Sequence, residues 1–377
     1  MKKQKPIAVV IGNGGYNDIG QIRSCGEFGM DVIMIAPEEI LIPINKSIYV
    51  KEWIKSSIDN QNSLINITQS IASKYPNREI ILYPATDLSA CLIDKAYEKL
   101  SQFAIVPHAN GNLSTLMDKS VMVEIAQKRN LNVPESIVLD LHEYKYKAKT
   151  LPLPCIIKPL RSIFGEKSAI TICHDSESIQ TTLNNYKAHG FYDILVQALV
   201  EGNNQEEIAI TGVSNGKGVV LIFGTIHKIR IRGNGSTVFA KYNKSIDSQL
   251  TNKINEFIKE TGFRGIFDME FLRNEAGYHF IECNFRNGAY GYAITKAGFN
   301  MPGLFYLLAS SKPLPNINVK NITFMEERSD ILNVLDHTIS PWRWIKDIIS
   351  TDTFLWWNRR DPYPMLRCPN IIKKYFR

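Results

Sequence analysis

Residues 265–288 read GIFDMEFLRNEAGYHFIECNFRNG, and they decide how the rest of the chain is interpreted. Asp268 and Glu270 stand two apart in a Phe/Met/Leu run, and Glu282 and Asn284 stand two apart in a second apolar run. Residues two apart on a strand share a face. A hairpin turning through Glu275-Ala276-Gly277, with Gly277 in the left-handed position, would set Glu270 opposite Glu282 and Asp268 opposite Asn284. Facing carboxylates repel one another. The simplest compensation is a divalent cation, and oxygen donors without His or Cys favour Mg²⁺. The alternative is an exposed acidic face on the hairpin.

Upstream, IAVVIGNGG (7–15) and MDVIMIAP (30–37) read as buried strands separated by a helical stretch. NSLINITQSIASKY, EIILYPA and DLSACLIDKAYEKL continue the alternation, which predicts a doubly wound parallel unit. After Gly12-Asn13-Gly14 the third position of a dinucleotide fingerprint holds Asn17, so that turn reads as structural. From about residue 111 helices mix with antiparallel strands, and the class becomes α+β.

Lys119 opens the helix in LMDKSVMVEIAQKRN, where the helix dipole favours an acid, and Lys158 ends the apolar run PCIIK. Each lysine alone reads as a surface residue; their order before the acidic hairpin suggests phosphate contacts.

Residues 110–310 resemble the ATP-grasp superfamily. LMDKSVMVEIAQKRNLNVP and LPCIIKPL are similar to its two phosphate-binding lysine segments, VQALVEG to its adenine hinge, EEIAI to its ribose strand and MEFLRNEAGYHFIECNFR to its metal hairpin. The unit around LYPATDLSACL resembles the domain that precedes the grasp in carbamoyl-phosphate-synthetase-like members.

The resemblance implies a Rossmann-like pre-ATP-grasp domain over 1–110, ATP-grasp lobes over 111–195 and 196–310, and a helical basic C-terminal extension over 311–377. It implies ATP and Mg²⁺ as cofactors. Lys119 and Lys158 would hold phosphates, Gln197, Ala198, Leu199 and Val200 would hold adenine, and Glu207 would hold ribose. Glu270, Glu282 and Asn284 would bind the metal, with Asp268 a weaker candidate; Arg286 would stabilise the reacting centre and Lys241 the transferred phosphate. Arg230 and Arg232 fit either a substrate carboxylate or an exposed strand pair.

Two departures stand out. The loop LRSIFGEKS has one glycine where the family has several small residues, so Arg161 or Lys167 would assist its closure. Gln197 replaces the commoner acid at the hinge, and its carbonyl still accepts from an adenine amine.

The implied activity is an ATP-dependent carboxylate–amine or carboxylate–thiol ligase working through an acyl-phosphate. A non-catalytic nucleotide binder and a kinase are the alternatives. Partners would be small carboxylates and amines, with sugar- or lipid-linked acceptors and a homodimer left open. The C-terminal segment resembles those of ATP-grasp proteins of surface-polysaccharide or cell-wall precursor synthesis.

Other readings are weaker. GVSNG (212–216) fits a nucleophile elbow, but a strand follows it rather than a helix. The six cysteines have no metal spacing and read as core or scattered positions. No apolar run reaches the roughly 18 residues of a membrane span, and no signal-peptide core is evident, so a cytoplasmic protein is the expectation. Nucleic acid is not an expected partner. Residues 342–377 carry eight Lys/Arg against three Asp, and four of the five tryptophans. Asp347 and Asp352 interrupt any membrane face there, so packing of the tryptophans onto the body is the favoured reading.

Overall fold

The computed structural model describes residues 4–40, 42–143, 151–160, 170–201, 206–233 and 236–367. The first sheet contains β1 (Ile7–Ile11), β2 (Asp31–Ala36), β3 (Val50–Lys55) and β4 (Ile80–Pro84), all parallel, in the order β3-β2-β1-β4. Its central strands are apolar throughout because helices cover both faces. Val9, Ile11 and Ile33 pack with Leu64, Ile71 and Ile93 on one side. Ala8, Val10, Val32 and Met34 pack with Ile19, Ile22 and Cys25 on the other.

The glycine turn after β1 is tied to the helix that follows it. Buried Asp18 accepts the Gly14 N–H at 2.8 Å, and a Cβ at Gly12 would lie 2.1 Å from the Asp18 carboxylate. Burial pushes the Asp18 carboxyl up to about 6.

The second sheet contains β5 (Ser136–Asp140), β6 (Cys155–Pro159), β7 (Thr171–Cys173) and β8 (Asp193–Ala198), in the order β5-β8-β6-β7. The helix Ser176–Ala188 covers one face through Ile179, Leu183 and Tyr186. Strand alternation puts Ile156, Lys158, Leu195 and Gln197 on the opposite face.

The third sheet is the largest. It contains β9 (Glu206–Asn215), β10 (Val220–Ile222), β11 (Thr225–Arg232), β12 (Ser236–Asn243), β13 (Arg264–Asn274), β14 (Gly277–Asn284), β15 (Ile322–Met325) and β16 (Thr353–Phe354). The order is β14-β13-β9-β11-β12-β15-β16, with β10 beside β9. One face packs against the helix Ser248–Thr261 through Ile208, Ile210, Phe267 and Phe271. The other meets the helices Gly291–Ala297 and Met301–Ala309, which pack in turn on Tyr16–Phe28. The mixed α/β and α+β class is as the sequence indicates. Ser214 sits in β9, paired with Val220 of an antiparallel strand, which excludes a strand-to-helix elbow.

The C-terminal segment is more than a helical extension. β15 and β16 widen the large sheet, and Trp356 is buried. Arg23 of the first helix forms a fully buried ion pair with Asp361 at 2.9 Å. Ser47 Oγ and the Ile48 N–H also donate to Asp361, and Arg23 donates to the carbonyls of Leu355 and Trp356. Cys25, Cys91, Cys155, Cys173 and Cys283 are free and buried.

Candidate active site

The acidic hairpin has the register expected from its sequence, reached by another route. Glu270 faces Glu282 and Asp268 faces Asn284, yet the turn holds two residues, because Asn274 pairs with Gly277. A shift between Glu270 and Phe271 leaves Ile281 as the extra residue and restores the pairing. Asn284 Nδ2 donates to Glu282 Oε1 at 3.2 Å.

Asp268 shares that face but is taken up by Tyr290. It is 2% exposed and accepts the Tyr290 hydroxyl on both oxygens at 2.8 Å. Gly288 closes over it, since a Cβ there would lie 2.6 Å from Oδ2. Burial first, then Glu270, raise its carboxyl well above the usual range. Asp268 therefore buttresses the hairpin, which leaves Glu270, Glu282 and the Asn284 carbonyl as the oxygen groups that could hold a metal. Among the described residues no group of three His, Cys, Asp or Glu converges on one point. Two carboxylates and an amide suit Mg²⁺, which takes its remaining oxygens from phosphates and water.

Lys119 and Lys158 come together beside this set. Lys119 is the first residue of the helix Lys119–Lys128, whose N-cap Asp118 accepts from Ser120. The dipole mismatch noted in the sequence is thus offset by an acid one residue earlier. Lys119 is 8% exposed and Lys158 6%. Burial pushes the Lys158 ammonium down to about 8, with Glu282 opposing the shift and Lys119 adding to it. Burial also lowers Lys119, against Glu282, Asp87 and Asp118. Two desolvated ammonium groups near one carboxylate can accept a polyanion at little further desolvation cost.

The hinge differs from the expectation. Gln197 Oε1 accepts from Lys158 Nζ at 3.1 Å, and its Nε2 donates to Ser136 Oγ at 2.9 Å. The Ala198 and Leu199 N–H groups donate to the Glu135 and Pro154 carbonyls. Gln197 thereby orients Lys158 rather than offering an open carbonyl. On the same face, Ile156 lies between Gln197 and the exposed Ile172, giving an apolar floor that the sequence reading did not identify. Arg161 and Lys167 lie outside the described residues.

Sheet parity separates two lysines. The row Glu282, Glu270, Ala209, Ile226, Tyr242 shares one face, and Glu207 and Lys228 lie two residues along on that face. Lys241 pairs with His227 in the intervening row and is exposed on the opposite face, so it does not reach the carboxylates. Lys228, which the sequence reading passed over, does. Its Nζ lies 2.5 Å from Glu270 and 3.5 Å from Glu207. Burial opposes its charge, but Glu270 and then Glu207 hold its ammonium above the usual range. Its signal was its place in TIHKIRIR, one strand from Glu207.

Arg286 is clamped by Asp87, at 2.6 and 3.3 Å, and reaches Asn284 Oδ1 at 3.4 Å. Burial opposes its charge, and Asp87 outweighs it. Asp87 begins the helix Asp87–Lys95, so the first sheet's unit contributes directly to this site. Arg230 and Arg232 are not directed here. A bulge between Lys228 and Arg230 sends Arg230 to Asp330 and Asp347, at 2.7 and 2.5 Å, and Arg232 meets Asp336 at 2.6 Å.

Residues 124–290 match the ATP-grasp domain family. Among curated proteins, a formate-dependent phosphoribosylglycinamide formyltransferase of Wolinella succinogenes is 24% identical over 60% of this chain and 57% of its own length. Among solved structures, N5-carboxyaminoimidazole synthetase from Staphylococcus aureus complexed with ADP has TM-score 0.68 at 16% identity, covering 90% of this chain and 87% of that one. The biotin carboxylase domain of Hydrogenobacter thermophilus 2-oxoglutarate carboxylase, in complex with MgADP, ADP and bicarbonate, has TM-score 0.65 at 20% identity, covering 85% of this chain and 74% of that one. The facing glutamates, Lys158 and the clamped Arg286 thus lie within the residues that match the ATP-grasp domain family, and Lys119 lies just before them.

Proposed function

We propose that the protein is an ATP-dependent carboxylate–amine ligase. The observation that carries this reading is the convergence of Glu270, Glu282 and Asn284 with Lys119, Lys158 and Arg286. Lys119 and Lys158 would hold the phosphate chain, Glu207 the ribose, and the face around Ile156 and Ile172 the adenine ring. Mg²⁺ held by Glu270, Glu282 and Asn284 would neutralise charge on the phosphates during transfer.

In the first step a substrate carboxylate oxygen attacks the γ-phosphorus, and the bond to the β-γ bridging oxygen breaks, giving an acyl-phosphate and ADP. In the second step the amine attacks the acyl carbon, phosphate leaves, and the amine loses a proton. Arg286, fixed by Asp87, would stabilise negative charge at the acyl centre. Lys228 lies close enough to follow the charge on Glu270. The finer setting of surface-polysaccharide or cell-wall precursors rests on the C-terminal segment alone. The related proteins bear names tied to phosphoribosylglycinamide, carboxyaminoimidazole and bicarbonate chemistry.

The test is Mg²⁺-dependent ADP release against a panel of carboxylates and amines, in wild type and Glu282→Gln. The proposal expects release requiring both an acid and an amine, reduced about a hundredfold or more in the variant. A stable phosphorylated product without amide would identify a kinase instead. Absence of any adenine-nucleotide binding with Mg²⁺ would overturn the proposal.

A further inference from the structure

The helix Pro341–Ile349, PWRWIKDII, carries side chains of opposite character on its two sides. Its inner side is held by polar contacts: Trp344 Nε1 donates to Asp330 at 3.1 Å, and Asp347 accepts from Arg230 at 2.5 Å and from Arg343 at 3.3 Å. Its outer side is apolar. Trp342 is 82% exposed, Ile345 43% and Ile349 81%. Spacings of three and four residues align them in one stripe. Lys346, exposed and one turn from both Trp342 and Ile349, borders that stripe.

The aspartates that argued against a membrane face in the sequence are accounted for. Asp347 is 6% exposed and turned inward, and Asp352 accepts the Thr323 N–H and hydroxyl at 2.8 Å beside β15. The outward residues of the helix therefore carry no acid. Arg359, Arg360 and Arg367 are exposed downstream, and the sequence beyond 367 adds Lys373, Lys374 and Arg377 with no acid. The helix is already formed: Ser340 caps it, Pro341 begins it, and the Arg230–Asp347 pair fixes it to β11. Docking would require little ordering.

We propose that this helix seats the protein on an anionic lipid surface, with Trp342, Ile345 and Ile349 entering the headgroup boundary and Lys346 meeting lipid phosphates. Aromatic and aliphatic side chains beside basic ones are the composition of an interfacial helix. Among the described residues no helix is long and apolar enough to cross a membrane, so the contact is peripheral. Three side chains of this size cover roughly 500 Å², less than the roughly 800 Å² per partner of a stable protein interface. That difference favours a lipid surface over a second copy of the chain.

The full chain is to be co-sedimented with phosphatidylcholine vesicles, with and without phosphatidylglycerol, at low and high salt. Binding is expected to need the anionic lipid and to weaken with salt. It should be lost in the Trp342→Ser/Ile349→Ser double variant and about tenfold weaker in Lys346→Glu. Nucleotide binding by both variants, measured in parallel, should equal wild type and thereby report folding. No binding to anionic vesicles, or binding unchanged in the double variant, would overturn the proposal. So would a concentration-dependent dimer in sedimentation velocity that the double variant abolishes, since the stripe would then be covered by a second copy.

Discussion

Lys119 and Lys158 form one cationic pair in this molecule, and Arg230 and Arg232 form another. Their sequences invite the same interpretation, an anion site, yet their surroundings differ in sign. Burial dominates at the lysines and lowers both, so positive charge is held there at a cost. At Arg230 burial is outweighed by Asp330 and Asp347, and the charge is raised and satisfied. Arg232 likewise has Asp336 and Asn333. A basic cluster is poised for a ligand when its own fold leaves its charge poorly compensated; one already matched by fixed carboxylates is a structural joint.

The difference predicts a double dissociation, and it is the largest effect expected. Asp330→Asn would leave Arg230 half-buried with one acid removed, lowering stability by about 3 kcal/mol in denaturant titration, while nucleotide affinity stays at the wild-type value. Lys158→Met should do the reverse. It would weaken ATP binding by roughly tenfold to a hundredfold in calorimetry, while stability holds or rises because a desolvated ammonium is gone. Matching losses of stability in both variants would break the comparison.

A smaller effect concerns pH. With its ammonium pushed down to about 8, Lys158 is protonated below that value and progressively neutral above it in the nucleotide-free protein. Phosphates bind the protonated form, so affinity should be flat below pH 8 and fall by up to about tenfold per unit above it. An arginine does not titrate in this range. Lys158→Arg should therefore move the inflection upward, leaving the contribution of Lys119. An identical profile in the variant would assign the pH dependence to another group.

How far such sites could be seen in advance follows from the range of the forces involved. The pairing of Glu270 with Glu282 was legible, because a two-residue period survives compensating errors. The turn is one residue shorter than expected, and the extra Ile281 restores the alignment. The Asp87–Arg286 clamp was not legible, because 199 residues separate its members and only the packing of the first unit against the large sheet joins them. The tryptophans divided in the same way. Trp356 is buried and Trp344 bonds to Asp330, as packing onto the body predicts, while Trp342 stays in solvent. A helical period can separate 342 from 344, but only the position of Arg230 shows which side faces the body.

The smallest expected effect is the most direct test of sheet parity. VFAKYNK drew Lys241 toward the transferred phosphate by resemblance, yet its row also contains His227, Ile208 and Phe271, on the face opposite Glu270. Lys228 shares the face of Glu270 and Glu207 and lies within ion-pair distance of both. Lys241→Ala should therefore leave ADP release and Mg²⁺ dependence within about twofold of wild type, as for a surface lysine. Lys228→Met should shift the Mg²⁺ concentration needed for half-maximal ADP release, because Glu270 would lose the ammonium that balances its charge. A large loss in Lys241→Ala would require β12 to be offset by one residue against β11. Such an offset would carry Ala240 and Tyr242 out of the core in which both are now buried.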